Sequence, residues 1–458
     1  MKNKYLETGD KKACNGCGIC ELICPKKCIK MIEDEEGFLY PVIDKDECIN
    51  CNKCKRECAN YPQKNTFDIK AYALKNNDEK ERKESTSGGM FYILVKYIIE
   101  KEGIVFGVKY DENLIVKHDY SEHLSGCKQF SVSKYVRSDL GDSYIRAKEF
   151  LDQGRYVLFS GTPCQVYGFK KYLNKDYEKL ILCEIICHAN PSPKIFKMYL
   201  KNRENKKSKK VKAMYFRSKN QEMKNKPYIE YEDGEKQQDG EFNKAFVSQL
   251  INRPSCNNCE FVDINRKSDF TIGDFWGIDK TLKNFDDGKG VSLVTVNSEK
   301  AAKIFDEIKE NFISKESNLE TAFKSNHHYN LPQHKKRKEF FEKIEVGEIT
   351  EENIIKYFKM YTKENIQKKV VKKIKQYFKI LRRAKWIGNN SFGIFLVHML
   401  PVIFLNKIQK FSGIQLPIVL NEIVYTLVTL IISIIIIFFI KKFKLQILIG
   451  EKNSSQKS

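Results

Sequence analysis

The sequence predicts three architectures in succession: a small α+β unit first, an α/β domain in the middle, and a C-terminal helical hairpin apolar enough to cross a membrane. Three observations carry this. Cysteines fall in two copies of one spacing within the first 58 residues, strand-like and helix-like stretches alternate from about Ile69, and residues 423–440 hold no charged side chain. Alternation of that kind argues for an α/β layer, and an uncharged apolar run of that length is enough to span a bilayer.

The first unit, residues 1–65, is organised around Cys14, Cys17, Cys20 and Cys24, and again around Cys48, Cys51, Cys54 and Cys58. Each run is C-x2-C-x2-C-x3-C, the spacing by which thiolates hold a cubane [4Fe–4S] cluster, with the fourth cysteine of each run reaching to the other cluster. The expected sets are Cys14, Cys17, Cys20 and Cys58 for one cluster, and Cys48, Cys51, Cys54 and Cys24 for the other. A disulfide framework and a pair of zinc sites are the competing readings. Neither accounts for two copies of a four-cysteine spacing. An extended stretch from Phe38 to Ile43 separates the halves, and Asn60 to Asp68 reads as a linker. The unit resembles a bacterial-type two-cluster ferredoxin domain, so its fold is expected to be α+β and ferredoxin-like.

Composition bounds the remainder. A chain of 458 residues with 41% hydrophobic content can fill more than one core. The net charge of +22 comes from 81 Lys+Arg against 59 Asp+Glu, and the basic residues thicken toward the apolar tail. That placement favours the cytoplasmic face of a membrane. No aromatic-and-basic motif is present, so nucleic acid is not expected as a partner. The fifteen cysteines stand in groups, and no apolar stretch follows Met1, so the redox domains are expected in a reducing cytoplasm.

In the middle section, Ala71–Leu74 reads as a strand and Lys75–Glu84 as a mobile loop. Ser87-Gly88-Gly89 opens an amphipathic helix whose face carries Met90, Ile93, Leu94, Tyr97 and Ile98. Strands are expected at Ile104–Val108, Tyr156–Phe159, Leu180–Ile186 and Val291–Val296. Helices are expected at Ser143–Leu151, from Pro163 to Leu173, from Pro193 to Lys201, and over Glu299–Asn311. Residues 204–240 read as a basic surface hairpin, with strand-like pieces at Ala213–Arg217 and Tyr228–Tyr231. Cys164 and Cys187 each follow a strand end, where open α/β sheets gather their sites. Cys164 read alone is a buried apolar cysteine or, at a helix N-terminus, a reactive thiol. Three other cysteines favour cluster ligation instead. Cys28, Cys127 and Cys183 remain as structural cysteines.

Taken together, Ser87-Gly88-Gly89, Ser133 to Ser138, Gly161-Thr162-Pro163-Cys164-Gln165, Cys187-His188, Pro191-Ser192-Pro193, Cys256-x2-Cys259 and Asp269 to Gly277 resemble the β-subunit family of coenzyme F420-reducing hydrogenases and dehydrogenases. With its ferredoxin head, the chain also looks like the plant hydroxymethyl-chlorophyll reductases of that superfamily. The resemblance implies an FAD site and a third [4Fe–4S] cluster on Cys164, Cys187, Cys256 and Cys259. For the flavin, the Ser87, Gly88 and Gly89 turn, Lys134, Arg137, Thr162 and Asp274 are the candidates, since a helix N-terminus and cationic side chains suit a pyrophosphate. Each has an ordinary alternative: a Ser/Gly cap, solvated surface charges, packing. His188 is the candidate proton donor, with a hydrogen-bonded structural role as the alternative. No Gly-x-Gly-x-x-Gly fingerprint argues for a nicotinamide.

Beyond residues 69–313, residues 314–385 read as a basic helical region. Residues 386–450 read as a two-helix membrane hairpin resembling the C-terminal end of acyltransferase 3-type membrane enzymes, with the lysines at 441, 442 and 444 on the cytoplasmic side. The expected function is an iron–sulfur flavoprotein oxidoreductase, multi-pass at the membrane with its redox domains in the cytoplasm. It would relay electrons from a donor protein or redox subunit to a small organic or deazaflavin acceptor. An electron-transfer adaptor for a separate catalytic partner and a truncated polysaccharide acyltransferase fused to redox domains are the alternatives.

Overall fold

In the computed structural model, residues 4–362 are described apart from 61, 327 and 328. Strands β1 (Ile29–Glu33) and β2 (Leu39–Ile43) pair antiparallel, with Ile29 opposite Ile43. The hairpin separates the two cysteine runs. Asp34 tightens its turn by accepting from the backbone N–H groups of Glu36 at 3.1 Å and Phe38 at 2.8 Å, an Asx-type turn.

The central sheet contains β3 (Lys70–Asn76), β4 (Ile104–Tyr110), β5 (Val116–Ser121), β6 (Val157–Gly161), β7 (Leu180–Ile185), β11 (Phe270–Asp274), β12 (Ser292–Val296) and β13 (Phe312–Ser317). Its order is β13-β3-β12-β11-β7-β6-β4-β5. Strands β11, β7, β6 and β4 run parallel, and the flanking pairs are antiparallel. The sheet is therefore mixed. Strands β6 and β12 are buried along their whole length, and their mainly apolar residues suit a sheet covered on both faces.

Helix starts explain how the chain leaves the parallel strands. Helix α1 (Met90–Glu100) follows Gly89 in the left-handed conformation, φ +92°. Helix α2 (Ser143–Asp152) packs with Tyr144, Ala147 and Leu151 inward. Helix α3 (Pro163–Leu173) has proline in its first turn and a reciprocal capping box between Thr162 and Gln165. Helix α4 (Pro193–Lys207) is capped by Ser192, whose oxygen accepts from the Ile195 N–H at 3.2 Å.

Strands β8 (Val211–Tyr215), β9 (Tyr228–Tyr231) and β10 (Lys236–Gln238) form a second, antiparallel sheet in the order β10-β9-β8. Where a surface hairpin was expected, one face of this sheet is a core. Met214, Phe216, Ile229 and Tyr231 pack with Phe242, Phe340 and Phe358; the last two belong to helices Arg337–Glu345 and Ile354–Thr362. The expected loop over Lys75–Glu84 is instead the end of β3 and a helix, Glu79–Glu84, whose Arg82 forms a two-point ion pair with Asp287.

The cysteine-rich unit and the central sheet lie in one compact unit, Met1–Lys363. The stretch between them is strapped down. The Asn65 amide donates to the carbonyls of Arg266 at 2.9 Å and Asn297 at 2.7 Å, and the Gln63 N–H donates to the Tyr167 hydroxyl at 3.1 Å.

The expected transmembrane helical hairpin, and with it the multi-pass membrane location, is corrected. Among the described residues no helix is long and apolar enough to cross a membrane. Helix α4, with 15 residues, extends only ~22 Å at the helical rise, against ~30 Å of hydrocarbon, and it carries charged residues throughout. The acyltransferase-like segment 386–450 and the basic run 368–385 lie outside the described residues.

Candidate metal centre

Four cysteines that are far apart in sequence face one cavity. Cys164 stands in the first turn of α3 after β6, Cys187 follows β7, Cys256 lies within a short helical turn opened by Arg253-Pro254, and Cys259 ends that turn. All four line the same cavity with Asn15, Asn60, His188, Ala189 and Asn190. The parallel strands deliver their C-terminal ends to this edge of the sheet, where such folds place ligands.

The surroundings of the sulfurs suit thiolates. Cys256 Sγ accepts from the Asn190 N–H at 3.3 Å, and Cys259 Sγ from the Phe261 N–H at 3.4 Å. Cys164 Sγ lies 3.5 Å from an Arg137 guanidinium nitrogen and 3.3 Å from the Thr162 hydroxyl. Burial, then the neighbouring sulfurs, pushes Cys187 and Cys259 well above the usual thiol range and raises Cys256. Grouping buried thiols in this way opposes ionisation unless a metal neutralises them, in which case they are held deprotonated. Among the described residues no three His, Cys, Asp or Glu side chains converge tightly enough for a single ion. The thiols surround a space, and a cubane needs its ligands spread around it.

The first cysteine run packs directly against this centre. Cys17, Ile19 and Ala59 share a core with Cys164, Tyr167 and Phe261. Burial and the nearby Cys58 sulfur push the Cys17 thiol up to about 12. Asn15 accepts from the Cys17 N–H at 3.0 Å and donates to Asn60 at 3.2 Å; Asn60 donates to the Ala13 carbonyl at 3.1 Å. This chain fixes the loop and lines the shared cavity. On the other run, Cys51 is exposed while Cys48 and Cys54 are half-buried. Cys28 sits with its sulfur 3.4 Å from that of Cys24.

The residues expected at a flavin divide into two groups. Arg137 and Thr162 contact the Cys164 sulfur, as just described, and His188 lines the cysteine cavity, with its Nε2 2.8 Å from the Gln249 amide nitrogen. Ser87, Gly88, Gly89 and Asp274 gather elsewhere on the same sheet edge. There the turn is engaged by its own fold: the Ser87 hydroxyl donates to the Val291 carbonyl at 3.0 Å, and the Gly88 N–H donates to the Ser292 hydroxyl at 2.9 Å. A Cβ on Gly88 would meet the Leu74 carbonyl and the Ser292 nitrogen at 2.3 Å, so close sheet packing alone demands glycine. Lys134 turns its ammonium onto the carbonyls of Gln129 at 2.7 Å and Val132 at 2.9 Å, and burial brings it down to about 7.

Two residues beside Asp274 were not singled out by the sequence. Arg217 pairs with Asp274 at 2.5 Å and lies 4.9 Å over the ring of Trp276, which is 53% exposed. Lys219 donates to the carbonyls of Ser87 and Arg82, and burial lowers it to about 8. Nothing in the local pattern marks them, because the basic stretch that holds them reads as surface. Arg253 is the third omission; its place three residues before Cys256 was the available signal.

Residues 154–321 match a family of C-terminal regions, that of the coenzyme F420 hydrogenase/dehydrogenase beta chain. An uncharacterized ferredoxin of Methanocaldococcus jannaschii is 35% identical over 75 residues, which are 16% of this chain and 91% of that protein. A chain of the F420-reducing [NiFe] hydrogenase complex from Methanosarcina barkeri aligns at 18% identity and a TM-score of 0.39, covering 56% of this chain and 83% of that one.

Proposed function

We propose that the chain, whose residues 154–321 match the C-terminal region of the coenzyme F420 hydrogenase/dehydrogenase beta subunit and which has a ferredoxin among its relatives, is an iron–sulfur oxidoreductase with three clusters and a flavin. The observation that carries this is the single cavity lined by Cys164, Cys187, Cys256 and Cys259, with the Cys17 loop packed on its wall. Separate segments have no packing reason to place four thiols around one space.

When bound, the clusters supply one-electron transfer and the flavin supplies exchange between one- and two-electron chemistry. The chain's own residues set the conditions. Cys14, Cys17, Cys20 and Cys58 would hold the cluster nearest the sheet, and Cys48, Cys51, Cys54 and Cys24 the outer one, whose exposed Cys51 faces a donor. Backbone N–H groups of Asn190 and Phe261 stabilise charge on two sulfurs of the third set. Lys219 and Arg217 would neutralise a flavin phosphate, with Trp276 as an apolar platform; the Ser87–Gly89 turn would give shape there, since its Gly88 N–H is already committed. His188, held by Gln249, would orient groups at the cavity. The acceptor class remains an organic molecule or a deazaflavin.

Anaerobic purification and a turnover assay test this reading. Bound FAD, and reduction of a small acceptor without any added subunit, is the expected result. Clusters without flavin would refute the oxidoreductase reading and leave an electron-transfer adaptor for a separate catalytic partner.

A further inference from the structure

Buried arginines in this fold are normally matched by carboxylates. Arg82 pairs with Asp287, Arg266 with Glu184 and Arg337 with Glu36. Two are not. Among the described residues, neither Arg137, 8% exposed, nor Arg253, 1% exposed, lies within ion-pair distance of a carboxylate. Both point at cysteine loops instead. Arg137 donates to the Gly16 carbonyl at 2.7 Å and reaches Cys164 Sγ at 3.5 Å. Arg253 donates to the carbonyls of Cys14 at 2.8 Å and Leu39 at 3.0 Å, and reaches Cys14 Sγ at 3.5 Å. Its guanidinium lies 4.1 Å from the Tyr40 ring centre. Gly16 makes room: at φ +69° its missing Cβ would stand 2.9 Å from an Arg253 nitrogen.

An unpaired buried guanidinium is costly, so each needs a counter-charge, and sulfurs are the groups within reach. A thiolate-ligated cluster is net negative and gains one more negative charge on reduction. A fixed cation against its sulfurs stabilises the reduced form and raises its potential. Arg137 touches both the loop of the first set and a sulfur of the third. Arg253 touches a sulfur of the first set, and its charge also bears on Cys256 of the third.

We infer that Arg137 and Arg253 are potential-setting counter-charges, Arg137 shared between the cluster at Cys14, Cys17, Cys20 and Cys58 and the cluster at Cys164, Cys187, Cys256 and Cys259, and Arg253 serving chiefly the first, whose sulfur it touches. Arg137 thereby keeps the two neighbouring potentials in step, as a relay requires. Both are positioning residues and ligate nothing. The inference rests on the three-cluster reading above.

Its test is an anaerobic reductive titration followed by paramagnetic resonance in wild type, Arg137→Gln, Arg137→Lys and Arg253→Gln, with iron content measured on each. Signals are assigned with a Cys187→Ser chain. In Arg137→Gln two clusters should become harder to reduce, each by about tenfold in reduced-to-oxidised ratio, or ~59 mV for a one-electron couple. Arg137→Lys should recover most of that shift. Arg253→Gln should move the cluster at Cys14, Cys17, Cys20 and Cys58 by more than the cluster at Cys164, Cys187, Cys256 and Cys259, and the cluster at Cys48, Cys51, Cys54 and Cys24 should stay fixed throughout. Full iron content with no shift in Arg137→Gln, or a shift in one cluster only, would overturn the inference. Should Arg137→Gln fail to assemble, Arg253→Gln decides: a displaced cluster at Cys14, Cys17, Cys20 and Cys58 supports the assignment, and an unmoved one overturns it. A wild-type chain without a third cluster would refute the underlying reading instead, and iron content separates the two failures.

Discussion

At Gly168 a Cβ would stand 2.9 Å from both the Cys17 Cβ and the Tyr144 hydroxyl, so helix α3 can approach the first cysteine loop only because this position is bare. Gly168→Ala should cost about 1–3 kcal/mol by overpacking and lower both Tm and bound iron; unchanged iron and Tm would contradict that joint. His118 offers a second test. It is 5% exposed, its Nδ1 meets the Ser138 hydroxyl and its Nε2 the Ser160 carbonyl, both at 3.1 Å. Burial is the chief cause that brings it down to about 4, with Arg137 adding to the effect. Below the unfolded value near 6.5 the unfolded chain takes up a proton that the folded chain refuses, so stability falls as pH drops toward 4. Between pH 6.5 and 5 the wild type should lose ~2 kcal/mol more than His118→Gln, measured by denaturant unfolding at each pH; equal slopes would show that His118 takes up a proton in the fold. Residue roles were only partly legible in sequence. Arg137 and Thr162 read as flavin contacts because charge and motif position are all a sequence offers; which sulfur a guanidinium meets depends on loops brought together across 27 positions.

Among elements, the segment joining the cysteine unit to the sheet is the most informative. Its sequence reads as a linker, being polar and without periodicity, yet Asn65 ties it to Arg266, Asn297 and Asn265. Asn65→Ala leaves two buried carbonyls without a donor and should cost ~1–3 kcal/mol, with faster proteolytic nicking at 62–69; cleavage at the wild-type rate would make the strap irrelevant. The parallel strands β4, β6 and β7 and the helices at Ser143, Pro163 and Pro193 were legible, because their apolar runs and proline starts are local signals, whereas β11 was read only as a motif. Strand β5 and the edge strand β13 were not. Exposed residues of β13, Ile313 to Glu316, lack the alternation that marks a half-buried strand, and its place is set by pairing with β3. Likewise β8–β10 hide a core face behind lysine and glutamate on the other side.

At the scale of the whole molecule, sulfur groups run from an exposed cysteine run, through Cys17, to a cavity at the strand ends, with a cationic and aromatic group beside it. Spacing alone proposes the first two cluster sets. The third is proposed only through family resemblance, since Cys164, Cys187, Cys256 and Cys259 meet through the sheet and not through sequence spacing. The measurement that tests this most directly is iron per chain, taken anaerobically on wild type and on Cys187→Ser. A three-cluster relay predicts about twelve irons falling to about eight, with the two cysteine-run clusters spectroscopically intact. About eight irons in the wild type, unchanged by Cys187→Ser, would contradict it.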